Sequence, residues 1–149
     1  GELNVGQLAR QRYGKHAVAL IGLTTYDGEV TAATDWGQPA RRRTVRAALP
    51  ESYEHLLHES VLDGVAPARF WMPMSDVGAA RVLETPRLER AIGVVYRPET
   101  ERASHYFQAR LDQQFDIVIH LDRTSALQPL DDIAAWDPLE PPQTYPSGI

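Results

Sequence analysis

The sequence contains no cysteine, so disulfides and thiolate chemistry are both excluded. That fits an intracellular, cytoplasmic protein. It also has no apolar run near the ~18 residues that a spanning helix needs, and no signal-peptide pattern opens it, so no membrane partner is expected. A net excess of positive charge is missing too. The net charge is −5, whereas binding to phosphate backbones rests on concentrated Lys and Arg, and this argues against a nucleic-acid partner. There is no G-x-S-x-G elbow, P-loop or dinucleotide fingerprint. No cofactor and no metal are therefore expected, and no recognisable catalytic set is complete within the chain.

What is present describes a globular α/β protein. The 149 residues are 43% hydrophobic and 23% charged, enough for one core and too few for two ordinary domains. Asn4 suits a helix N-cap, the spacing of Val5, Leu8 and Ala9 predicts a helix over 5–13, and Gly14 suits its end. "AVALIGL" (17–23), "IGVVYR" (92–97) and "FDIVIHL" (115–121) are continuous apolar runs, expected to be strands covered on both faces. Asp27-Gly28 within "TTYDGEVTAA" predicts a two-residue hairpin turn. Residues 35–50 are expected to form a loop, 50–62 an amphipathic helix, "ARFWM" (68–72) a short strand, and 76–91 helix broken at Thr85-Pro86. Four of the 11 prolines fall in the closing "WDPLEPPQTYPSGI", so 135–149 is expected to be an extended tail.

The alternation of strands and helices predicts a mixed, largely parallel sheet flanked by helices. Three doubly covered strands and only about three helices do not balance. The chain also begins almost directly with a helix and without Met, as a piece of a longer protein would. The whole of 1–149 is thus expected to be an incomplete part of a larger domain. Its missing cover would come from the other half of the same protein or from a second copy in a homo-oligomer.

Candidate site residues follow from position. Thr24, Thr25 and Tyr26 end the first buried run, where α/β sheets place their sites, and are expected to line a cleft rather than to catalyse. His105, in "SHYF", follows the 92–97 run by one loop and could reach the same sheet edge. A general base needs an orienting partner, and Glu99, Glu101 and Asp27 are the candidates. His120 alternates with apolar neighbours in "IVIHL" and is expected to be a buried, hydrogen-bonded structural residue. His55, His58 and Glu59 have i, i+3, i+4 spacing but fall opposite the stripe of Tyr53, Leu56, Leu57, Ser60 and Val61, on the side expected to be solvated. Arg41, Arg42, Arg43 and Arg46 form a basic stretch without a Gly-rich cradle, better suited to local ion pairs than to an anion site.

Several blocks together resemble one family, the erythromycin-esterase-like hydrolases. They are "GELNVGQLARQRYG", "GLTTYDGEVTAATDW", "LPESYEHLLHE", "AIGVVYRPETERASHYFQARLDQQFDIVIHLDRTSALQPL" and "PPQTYPSGI", in the family's order. The block from Ile92 to Leu130 is the most specific. "RFWMPM" (69–74) and Tyr26 depart from the family's pattern. The resemblance implies a metal-independent enzyme in which histidine and glutamate activate water against an ester or macrolide lactone. It covers the C-terminal part of the family alone, so the catalytic groups are implied to lie upstream of this chain. Some relatives join this region to a phosphoribosyltransferase-like domain. Thr24, Thr25, Tyr26 and His105 are then expected on the substrate side or in a supporting shell, with no catalytic residue in this chain, which alone is expected to be inactive. The competing reading is a non-catalytic interaction or assembly module that keeps the fold.

Overall fold

The computed structural model describes residues 4–76 and 83–128. The helix α1 (Val5–Tyr13) forms where the sequence predicts it, and Asn4 begins it with a reciprocal box. Asn4 Oδ1 accepts from the Gln7 N–H at 2.9 Å, and Gln7 Oε1 accepts from the Asn4 N–H at 3.0 Å. The helix buries no residue fully and is fastened by one ion pair, Arg10 to Asp116 at 2.6 Å. The same Asp116 oxygen accepts the Leu20 N–H, leading the chain into the sheet.

Four strands form that sheet, in the order β2-β1-β6-β3: β1 (Ile21–Ala32), β2 (Arg41–Val45), β3 (Arg69–Pro73) and β6 (Ile117–Thr124). It is mixed, as expected, but the expected weight of parallel pairing is corrected. Only β1·β6 is parallel, and β2 and β3 flank that pair antiparallel. A two-stranded ribbon of β4 (Arg87–Arg90) and β5 (Tyr106–Ala109) lies apart from this sheet. The helix α2 (Tyr53–Leu62) packs on β1 and β6, and the one-turn helices α3 (Glu101–Ser104) and α4 (Leu111–Gln114) flank β5.

Four local expectations are corrected. No turn forms at Asp27-Gly28, because β1 runs straight through it. Asp27 pairs with Arg123, and Gly28 pairs with Thr124 on one side and Val45 on the other. Gly28 has φ +125°, and a Cβ there would collide with the Thr124 backbone, so glycine serves a close strand approach instead of a hairpin. The stretch 35–50 is not all loop, since "RRRTV" pairs with β1 as β2. Residues 92–97 form no strand. They run beside the end of β1 for a single bridge, Ala33 to Val95. Of the predicted helix over 76–91, residues 77–82 lie outside the described ones, and 87–90 is strand β4. The tail at 135–149 also lies outside the described residues.

Two clusters hold the fold. Tyr53, Leu83, Ala109, Leu111 and Val118 pack under α2 with Leu56, Met72, Met74 and Phe115. Ala32, Val45 and Tyr96 close the far end with Val30 and Ile92. Both sit on the α2 side or at the sheet's end. On the opposite face, Leu23 and Trp71 flank Ile119 in register, and they are 70% and 66% exposed. The central strands are thus covered on one face, not on two.

Candidate functional site

Side chains alternate along a strand, so Gly22, Thr24 and Tyr26 of β1 share the α2 face with Val118, His120 and Asp122 of β6. Gly22 opens this row because the Phe115 ring lies against it, and an added Cβ would come within 2.7 Å of that ring. The next pair is polar. His120, 0% exposed, meets Thr24 Oγ1 through Nδ1 at 2.9 Å and Asp122 Oδ1 through Nε2 at 3.4 Å. Burial lowers its pKa, opposed by the Asp122 carboxylate, so His120 favours the neutral form. The carboxylate requires a proton on Nε2, which leaves Nδ1 to accept from Thr24. The expected buried, hydrogen-bonded histidine is found.

One step toward the carboxyl end of the strands, the row gains a second histidine. His58, on α2, places Nδ1 2.7 Å from the same Asp122 Oδ1. Its ring stacks on Tyr26 at 3.5 Å with planes 2° apart, and His55 leans on both rings. The expectation that His55 and His58 face solvent is therefore corrected. Both are half-buried, because α2 sits low enough over β1 for Tyr26 to reach them. His55 Nε2 lies 3.5 Å from Glu59. Among the described residues, no three His, Asp or Glu side chains are arranged to hold a metal ion.

A second polar group centres on Arg90 of β4. Its guanidinium donates to the carbonyls of Thr25 at 2.6 Å, Tyr26 at 2.8 Å and Arg46 at 2.8 Å, and to Glu101 at 3.1 Å. Tyr96 also donates to Glu101, at 2.9 Å, and burial pushes its phenol up to about 12. The Arg90 N–H goes to Glu54, whose carboxyl is raised by burial. Glu89 beside them is pushed up to about 7, first by burial and then by Glu54. Arg43 and Arg46 donate to the Tyr96 and Pro98 carbonyls, so much of the basic stretch is committed to internal bonds.

His105 belongs to this second group. It caps the end of α3, its Nε2 accepts the Arg97 N–H at 3.0 Å, and its Nδ1 faces the Ala91 carbonyl at 3.3 Å. Its ring leans on Tyr96. Neither Glu99 nor Asp27 orients it, and both nitrogens are engaged with backbone. Thr24 and His105 share no hydrogen bond, and they connect only at a distance, through Arg90 and the segment Thr24–Tyr26. Thr25 turns away from α2 and donates to the Asp27 carbonyl at 2.9 Å. Asp27 itself is held below the usual carboxylate range by the paired bonds of Arg123, both 2.8 Å.

Sequence reasoning missed His58 and Asp122 as partners, and it missed the burial of Glu54 and Arg90. One signal was present. His120 and Asp122 are two apart on a strand and must share a face, so a helix carrying histidines over that face would complete the set.

Taken together, these features define an α/β fold whose mixed sheet carries a polar row under one helix and exposed Leu23 and Trp71 on its other face. The chain belongs to the erythromycin esterase family, whose sequence model matches residues 1–124. Among solved structures it resembles a succinoglycan biosynthesis protein, at 22% identity and TM-score 0.65, covering 83% of this chain and 28% of that one. It also resembles a protein from Bacillus cereus, at 19% identity and TM-score 0.63, covering 80% of this chain and 28% of that one. The chain thus spans just over a quarter of the length of these structures.

Proposed function

We propose that this chain is the C-terminal portion of a metal-independent ester or lactone hydrolase, supplying sheet and one wall of its cleft. The water-activating histidine and glutamate then stand outside these 149 residues. The observation that carries the reading is a sheet with a polar row on its α2 side. Its α2 face holds Thr24, Tyr26, His58, His120 and Asp122 near the carboxyl end of the parallel pair, while apolar Leu23 and Trp71 stand open behind. Sites in α/β sheets form at such carboxyl ends, and large open apolar patches mark surfaces made to be covered. In this reading Tyr26 and Thr24 belong to the cleft wall, and Thr25 and His105 support it through Asp27, Arg97 and Arg90.

The test is to assay the purified chain on p-nitrophenyl acetate, alone and mixed with the separately expressed remainder of the family domain. Loss of a positioned general base removes about 10²–10⁴ in rate, so the chain alone should not exceed buffer. The mixture should turn over and should elute as one complex. Turnover by the chain alone would sink the proposal, and so would failure of the two pieces to associate.

A further inference from the structure

We infer that His58, backed by Asp122, is a proton-acceptor site that takes the O–H of a bound hydroxyl group at Nε2. The inference stands on the geometry of this chain and does not need the hydrolase reading. Asp122 Oδ1 lies 2.7 Å from His58 Nδ1, and a carboxylate can only accept, so the Nδ1 proton is fixed there. The Nε2 lone pair is then bare. It has no hydrogen-bond partner among the described residues, and the His58 side chain is 16% exposed.

The surroundings hold the ring in that attitude. Tyr26 stacks on one face at 3.5 Å, and His55 leans against the pair. Asp122 is itself placed by His120, whose far nitrogen is tied to Thr24. Thr24, His120, Asp122 and His58 form one chain of hydrogen bonds across two strands and a helix, and His58 Nε2 is its outer end. A carboxylate behind an imidazole sets its tautomer and stabilises the cation formed when the outer nitrogen takes a proton. Proton transfer here breaks the O–H bond of the hydroxyl, forms Nε2–H, leaves the bonding electron pair on the hydroxyl oxygen as an alkoxide, and sets His58⁺ between that oxygen and Asp122⁻. His105 and His120 lack this capacity, because both nitrogens of each already face protein groups.

The first measurement is the nitrogen NMR of the neutral imidazoles in the intact chain. His58 should carry its proton on Nδ1, and an Nε2–H tautomer would overturn the inference. The second is modification by diethyl pyrocarbonate, which acylates an accessible imidazole lone pair, followed by peptide mass spectrometry. His58 should react about tenfold or more faster than His105 and His120, with exposed His16 as the reference. The near-isosteric Asp122→Asn can donate its amide N–H to Nδ1 and turn the tautomer over. It should slow His58 by at least about tenfold while His16 is unchanged. A His58 as protected as His120, or one indifferent to Asp122→Asn in a chain of unaltered circular dichroism, would show a purely structural bond. Ester turnover by the chain alone that disappears in His58→Gln would overturn the proposed function and leave this inference standing.

Discussion

Glu89 makes the chain's stability depend on pH in a direction opposite to that of most carboxylates. It is 8% exposed, its Oε2 is buried without a partner, and Glu54 is the charge beside it. Burial and that neighbour move its pKa from 4.5 to about 7. Below 4.5 the folded and unfolded chains both hold the proton, so Glu89 contributes no pH dependence. Between 4.5 and about 7 the unfolded chain has lost the proton and the folded chain keeps it, so stability falls as pH rises. Above about 7 the whole cost is present. At about 1.4 kcal/mol per pH unit, a gap of about 2.5 units corresponds to about 3 kcal/mol, a large part of a small domain's margin. Glu89→Gln removes the charge and keeps the shape. Urea unfolding at pH 5, 6.5 and 8 should therefore show the variant close to the parent at pH 5 and more stable by up to about 3 kcal/mol at pH 8. The difference between the two chains is the informative quantity. It cancels His120, whose lowered pKa costs stability as pH falls below 6.5, and Asp27 and Asp116, which act in acid. Parent and variant curves that stay parallel from pH 5 to 8 would refute the reasoning.

Two further outcomes follow from the packing. Arg90→Met leaves Glu101 charged and 6% exposed without its cation, so unfolding free energy should drop by about 3–5 kcal/mol; a loss below about 1 kcal/mol in urea unfolding would show that Glu101 is not held by this pair. Gly22→Ala drives a methyl against the Phe115 ring and should cost about 1–3 kcal/mol, recovered in part when Phe115→Leu is added; a neutral single variant would contradict the contact.

Much of the fold was legible because short-range signals agreed with the structure. The capping residue and apolar spacing of 5–13 set α1, and "ARFWM" and "FDIVIHL" correspond to β3 and β6 to within a few residues. The failures all involve partners distant in sequence. Asp27-Gly28 has the chemistry of a turn, but β6 and β2 claim its backbone on both sides, and the strand continues. "RRRTV" has no apolar alternation and becomes a strand only because β1 offers it an edge. The site divided in the same way. His120 announced its burial through its apolar neighbours, whereas His58 seemed solvated because its own helix shows Leu57 and Tyr53 as the buried side. Tyr26, 32 residues earlier, draws it inward.

The polar row on the α2 side of the sheet bears on the proposed function. A sheet with one face against its helix and the other in water normally turns its apolar residues toward the helix. Here Val118 and Met72 do face α2, but Thr24, Tyr26, His120 and Asp122 share that face with them, and Leu23, Ile119 and Trp71 point away. Burying that polar row costs free energy unless each group is matched. The matching is close to complete: Thr24 with His120, His120 with Asp122, and Asp122 with His58. The charge network of Arg90, Glu54 and Glu101 adds a second buried polar group against the middle of β1, at the Thr25 and Tyr26 carbonyls. Apolar residues in those places would hold a sheet and a helix together with less risk, since each lost partner strands a buried dipole or charge. Stability alone does not account for such an arrangement. In the proposed hydrolase an oriented imidazole at the cleft wall would account for it, and the exposed Leu23 and Trp71 would lie on the side where the rest of that enzyme packs.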